Sequence, residues 1–93
     1  MLGIAQKAGK LSSGEFVCET EIKSGKSSLI ILAEDASENT KDKFNSMCSF
    51  YKVKIIHFGT KELLGHCIGK ELRAVLSFKD YNFAKAILKL YEA

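Results

Sequence analysis

KLSSGEFVCETEIKSGKSSLIILAEDAS, residues Lys10 to Ser37, is the stretch whose reading decides the fold. Ser12 followed three residues on by Glu15 has the form of a capping box, which predicts a helix start with Cys18 and Ile22 facing inward. Gly25-Lys26 ends that helix, and Leu29 to Ala33 is a continuous apolar run of strand length. Such a run belongs in the middle of a sheet covered on both faces. GTKELLGHCIGKELRAVLSF, Gly59 to Phe78, has the same order of parts: helical pattern, Gly-Lys turn, apolar strand.

Working outward, Leu2, Ala5 and Ala8 recur at helical spacing and predict a short first helix ending at Gly9-Lys10. Leu11 to Ser13 then reads as a short strand or an extended entry to the next helix. Downstream, Phe44, Met47, Cys48 and Tyr51 fall at i, i+3, i+4 and i+7, an amphipathic helix that Ser37, Asn39 or Thr40 can cap. Val53 to Phe58 reads as the next strand, parallel to the first apolar run because a helix connects the two. Thr60 can cap a further helix with Leu64, Cys67 and Ile68 inward, closed by Gly69. Arg73 to Phe78 is another strand. Asp80 can cap a last helix facing inward through Phe83, Ile87, Leu90 and Tyr91. Strands alternating with helices imply an α/β fold with helices on both faces of one sheet.

The 93 residues suit one domain, 1–93, whose size would bury roughly 60 to 68% of the surface of the unfolded chain. With no proline and no Ser/Gly-rich or charge-block segment, no linker is apparent. Hydrophobic residues make up 46% and charged residues 27%, a globular balance with no apolar run long enough to cross a bilayer. Met1 leads at once into patterned sequence without the parts of an export signal, so a cytoplasmic, membrane-free protein is expected. Cys18, Cys48 and Cys67 form no C-x-x-C pair, and each falls on a helical apolar stripe, which reads as small buried hydrophobes. The charge of +3 comes from 13 lysines and one arginine, Arg73, against 11 acids. Lysine meets phosphate as a point charge, whereas arginine reads base edges with two parallel bonds. The composition thus permits a nucleic-acid partner without requiring one.

Catalytic and metal chemistry find little support. Gly25-Lys26-Ser27 matches the end of a phosphate-loop pattern, but Thr20 stands where that pattern needs glycine, and the strand follows the loop instead of preceding it. Glu34, Asp35 and Glu38 follow the apolar strand where ligands often bind, yet acids before a helix also cap it and favour its dipole. His57 reads as a surface histidine and His66 as a helix-end histidine, since spacing gives neither a zinc set nor a base beside a nucleophile. No serine sits in a nucleophile elbow. A non-enzymatic chain with no cofactor and no metal is expected.

One surface remains: Lys10 to Thr20 around a helix start, together with Lys61 and Gly69 to Val75. A helix start offers free amides and a positive dipole to phosphate, and Gly14 lets another backbone come close. Lys10, Lys26, Lys61, Lys70 and Arg73 would supply charge, while Phe16 and Leu72 could contact an unstacked base. The same residues also serve a purely structural reading, with Ser12 to Glu15 as a cap and Phe16 as core. Residue types alone leave both open.

Three motifs together, LGIAQKAGKLSSGE at 2–15, IKSGKSSLIILAEDASENTKDKF at 22–44 and GTKELLGHCIGK at 59–70, span nearly the whole chain. In their order the sequence resembles the ribosomal protein L7Ae and L30e superfamily, most closely its bacterial YlxQ-type branch. The resemblance implies a three-layer α/β/α sandwich with a mixed central sheet of about four strands, and binding of structured RNA, typically kink-turns or ribosomal RNA, without catalysis. It implies that Gly14 matches the glycine of the family's RNA-reading helix start and Lys61 the lysine of a later one. Phe16, Val17 and Thr20 stand where the family usually has Asn or Lys, Glu or Gln, and Lys, and Ser37 stands where an acid often lines a base pocket. The loop Gly69-Lys70-Glu71-Leu72-Arg73 is more charged than its usual apolar counterpart, while Val75 keeps the apolar character.

The expected RNA surface is therefore Lys10, Ser13, Gly14, Glu15, Phe16, Lys61, Lys70, Leu72 and Arg73. Structured RNA, with ribosome association as an extension, is the expected partner of a monomer. The alternative is a protein-interaction or assembly domain that kept the fold and lost specific kink-turn recognition, with Phe16 and Val17 as an apolar patch.

Overall fold

The computed structural model describes residues 11–92, which form four strands and four helices in strict alternation. They are β1 (Leu11–Ser13), α1 (Glu15–Lys23), β2 (Leu29–Leu32), α2 (Glu38–Tyr51), β3 (Lys54–His57), α3 (Lys61–Cys67), β4 (Val75–Phe78) and α4 (Tyr81–Glu92). The helix expected over Leu2 to Ala8 lies outside the described residues.

The sheet order is β1-β4-β2-β3. β4 runs antiparallel to both neighbours, Leu11 and Leu29 each standing opposite Phe78, and β2 runs parallel to β3 with Leu29 opposite Lys54. The expected mixed four-stranded α/β sandwich is the fold. Every residue of β2 and β4 is buried, so both faces of the two inner strands are covered by helices. This is why LIIL shows no alternation: a strand with no wet face has no use for polar positions. Ser77 is the polar exception in β4, and its Oγ donates to Ser27 Oγ at 2.8 Å. That bond ties up the serine of Gly25-Lys26-Ser27, in a loop that leads into a strand; no phosphate loop is built there.

Short polar side chains start three of the helices as the sequence predicts. Ser37 Oγ accepts from Thr40 N at 3.2 Å, and Thr60 Oγ1 accepts from Leu63 N at 3.0 Å. Asp80 Oδ1 accepts from Asn82 N and Phe83 N at 2.8 and 3.1 Å. Each bond satisfies an amide that the helix itself leaves free.

The capping box at Ser12 and Glu15 does not form. Gly14 is the N-cap of α1, with no side-chain bond, and the Ser12 hydroxyl donates instead to Glu21 Oε2 at 2.6 Å. Ser12 belongs to a strand paired with β4, and the extended chain carries its side chain away from the helix start.

Cys18, Ile22, Phe44, Cys48, Leu64 and Ile68 are buried as expected, with Met47 and Phe83 packed at the edge of the core. Burial pushes the Cys48 thiol up to about 11, and burial, with the charge of Glu21 and then Cys48, pushes Cys18 higher still. Four expected core positions are exposed. Tyr51 ends α2 just before Lys52 turns left-handed at φ 59°, and its ring meets Phe50 edge-on at 4.9 Å at the surface. Cys67 ends a helix of only seven residues, whose inward face is made by Leu64, Gly65 and Ile68. Leu90 and Tyr91 fall in the last turn of a 12-residue helix about 18 Å long, above strands of four residues spanning about 13 Å. The Tyr91 hydroxyl still donates to His57 O of β3 at 3.4 Å, and Ala84 and Ile87 carry the burial of α4.

Candidate nucleic-acid interface

Strand directions bring the candidate residues together. The carboxyl ends of β1, β2 and β3 and the amino end of β4 share one end of the sheet, so α1, α2 and α3 all begin there. Three helix starts at one place concentrate positive dipole ends and unshared amides.

Gly14 makes the step from β1 into α1. Its φ of 98° and ψ of 150° fall where side chains are strained, although no atom lies within 4 Å of where a Cβ would stand. Conformation, not space, demands glycine. Its N–H donates to Val75 O at 3.2 Å and its carbonyl accepts from Cys18 N at 3.1 Å, which fixes the helix start against β4. Glu15 is exposed, and its Oε1 accepts from Thr40 Oγ1 at 3.3 Å. Thr40 Oγ1 accepts in turn from Ser37 Oγ at 2.9 Å, so the starts of α1 and α2 are linked. On the next turn Glu19 receives Lys43 of α2 at 2.8 Å and Lys23 at 3.0 Å; these two ammonium groups, Lys43 first, hold its carboxyl below the usual carboxylate range.

Lys61 opens α3. Its N–H donates to Asp35 Oδ1 at 2.8 Å, and its carbonyl accepts from Arg73 N at 3.0 Å. Asp35 is thus a helix-start acceptor, while Glu38 pairs with Lys41 at 3.8 Å. No group of three or more metal-binding side chains occurs among the described residues.

Arg73 closes the arrangement. Its Nε donates to Ser13 Oγ at 3.2 Å and its Nη1 to Leu72 O at 2.7 Å, so the guanidinium pins the loop before β4 to the end of β1. Within that loop Lys70 N donates to Gly65 O at 2.8 Å, with the Lys70 side chain exposed. Gly65 makes this docking possible, because a Cβ there would overlap the carbonyl of Glu71. Phe16 is 81% exposed and Leu72 59% exposed, so Phe16 is not core. Val17 and Thr20 are exposed as well.

Ser13, Gly14, Glu15, Lys61 and Arg73 therefore share one connected end of the sheet, with Lys70 and Leu72 on the loop that Arg73 holds. Lys26 does not join them: it precedes Ser28, whose N–H donates to Phe78 O at the opposite end of β4. Lys10 lies outside the described residues. His57 is exposed and His66 lies in the last turn of α3, as expected.

Two residues of this architecture, Glu21 and Gly65, lie outside the expected site. Glu21 is only 7% exposed and joins three segments, its Oε2 accepting from Ser12 Oγ and lying 3.6 Å from Lys79 Nζ. Nothing in its spacing separates it from a solvent-facing acid. Gly65 had a signal, since glycine inside a helix costs about 1 kcal/mol relative to alanine and its presence asks for a packing reason.

The ribosomal protein L7Ae/L30e/S12e/Gadd45 family profile matches residues 1–88. The chain is 38% identical over 92 residues to RNA-binding protein YlxQ of Bacillus subtilis (strain 168), covering 99% of this chain and 92% of that protein. It is 36% identical over 92 residues to RNA-binding protein YlxQ of Enterococcus faecium, covering 99% and 88%. Among solved structures, a protein of unknown function from Bacillus halodurans C superposes with a TM-score of 0.95 at 33% identity, covering 99% of this chain and 93% of that one. No helix among the described residues is long and apolar enough to cross a membrane.

Proposed function

The chain belongs to the ribosomal protein L7Ae/L30e/S12e/Gadd45 family, and we propose that it binds structured RNA, kink-turn-like or ribosomal, as a cytoplasmic, monomeric, non-catalytic protein. The observation that carries the reading is the convergence of Gly14, Lys61 and the Arg73-anchored loop on one end of the sheet, where three helices begin. The amides of the α1 start receive a phosphate or a base edge, Lys61 and Lys70 hold the backbone by charge, and Phe16 with Leu72 contacts an extruded base. The curated relatives named as RNA-binding proteins support the same reading.

Arg73 acts here mainly by position. Two of its donors already serve Ser13 and Leu72, so it shapes the loop more than it reads a base. With few free side-chain readers and many lysines, affinity rests on the RNA backbone and falls steeply with salt.

Lys61→Glu is the clean test. The backbone N–H and carbonyl of residue 61 keep their bonds to Asp35 and Arg73, so the melting temperature stays close to wild type. RNA affinity is expected to fall about tenfold or more, and the slope of log affinity against log salt to flatten by about 0.9, one phosphate contact on the duplex scale. Unchanged affinity and slope would remove Lys61 from the interface. If wild type bound no RNA at all, the exposure of Phe16 and Val17 would favour the protein-docking reading, in which Phe16→Lys dissolves an assembly seen by light scattering.

A further inference from the structure

A groove of about 370 Å³ follows α1 away from its start. Phe16, Val17, Thr20, Glu21 and Ser24 of α1 and its carboxyl end line it together with Lys26 and Lys79. Phe16 lies in the first turn of α1, next to Gly14 and the end of the sheet assigned above to structured RNA, while Lys79 follows Phe78 at the opposite end of β4.

What the groove offers is specific in kind. Thr20 Oγ1 donates to Phe16 O at 3.0 Å, and Ser24 Oγ donates to Glu21 O at 3.3 Å. Glu21 Oε2 is occupied by Ser12 and Lys79. The hydroxyls and this carboxylate oxygen are thus engaged inside the fold, and Glu21 Oε1, buried and without a hydrogen-bond partner among the described residues, is the one carboxylate oxygen of the lining left over. An exposed aromatic ring, an apolar wall and the Lys26 ammonium remain, with the Lys79 ammonium held 3.6 Å from Glu21 Oε2. A ring face for stacking, followed by a cation along the same track, suits an unpaired nucleic-acid strand, because every base has a π-face and every linkage a phosphate. A duplex keeps its base faces inside the stack and cannot use Phe16.

We infer that this groove takes a short unpaired RNA strand leaving the structured element, with one base stacked on Phe16 and a phosphate meeting Lys26. The inference rests on the RNA-binding reading and deepens it, since it names a single-stranded partner segment and predicts recognition without sequence preference. Phe16 then contacts a base at the junction between the structured element and its tail.

The test titrates the full chain with a kinked RNA that is blunt, or carries a tail of about three unpaired nucleotides on either end, or carries the same extension base-paired. An unpaired tail on one end is expected to improve affinity about tenfold, the gain from one stacked base at the lower part of the aromatic range. The paired extension should give no such gain. Phe16→Ala should abolish the gain, and Lys26→Ala should reduce it while flattening the salt slope by about 0.7 for the tailed RNA only. Equal, measurable binding of blunt and tailed RNA overturns the groove assignment and leaves the structured-RNA reading standing. An equal gain from the paired extension overturns stacking in favour of plain charge attraction. No binding to any of these RNAs overturns both readings.

Discussion

Gly65→Ala is expected to lower stability by about 3 kcal/mol, at the upper end of the overpacking range, with a melting temperature drop of roughly 12 to 24 °C for a chain of this size. Alanine is ordinarily the better helix residue by about 1 kcal/mol, so propensity alone predicts the opposite sign. The steric conflict decides it. A Cβ at residue 65 overlaps the carbonyl of Glu71 and comes within 3.2 Å of Leu72 N, both of them backbone. No rotamer change relieves that overlap; the loop must move. Moving it breaks the Lys70 N to Gly65 O bond and strains those from Arg73 to Lys61 O and Ser13 Oγ. The variant should therefore lose RNA affinity even at temperatures where it remains folded. A melting curve within about 0.5 kcal/mol of wild type, the usual range for neutral surface changes, would mean that the close approach of residues 65 and 71 has been misjudged.

The second large effect is a gain. The triple change Phe16→Asn, Val17→Glu and Thr20→Lys places polar groups where the family usually has its readers, on a surface that already exposes all three positions. Each base-edge contact is worth on the order of 1 to 3 kcal/mol of discrimination on the duplex-DNA scale, so the triple variant should prefer a kink-turn over a plain duplex by 10²-fold or more beyond wild type. Folding should be nearly unaffected, because none of the three side chains is buried and the helix start is held by Gly14 and Val75. The gain from an unpaired tail should disappear in the same variant, since Phe16 is gone. A triple variant with wild-type discrimination would show that the start of α1 does not face RNA bases.

The fold was largely legible because its determinants are local. LIIL announces a strand buried on both faces, and Ser37, Thr60 and Asp80 each provide the oxygen that a helix start requires. Misreadings cluster where a local pattern competes with a longer-range demand. Ser12 and Glu15 have capping-box spacing, but pairing with β4 claims Ser12 first. Tyr51, Cys67, Leu90 and Tyr91 continue an inward stripe into the last turns of their helices, where they are exposed.

The candidate interface was legible only as a set of parts. Gly14, Lys61 and Arg73 are far apart in sequence, and strand order alone brings Ser13 within 3.2 Å of Arg73. Lys26 looked equally basic and equally near a turn, yet it stands at the other end of the sheet, where the groove along α1 gives it a different use. Glu21 was missed because a buried acid on a helix looks like any other acid until its partners are known. Gly65 shows the converse: its helical position was the clue, and the backbone of Glu71 is the reason.

The most direct test of the central claim is a titration of the chain against a kink-turn RNA and a plain duplex of equal length, each at low and moderate salt. The account predicts binding to both that falls steeply as salt rises, with a modest preference for the kink-turn carried by the Gly14 helix start and the Arg73-held loop. Affinity for both RNAs that is absent, or that is unchanged between the two salt concentrations, would contradict it.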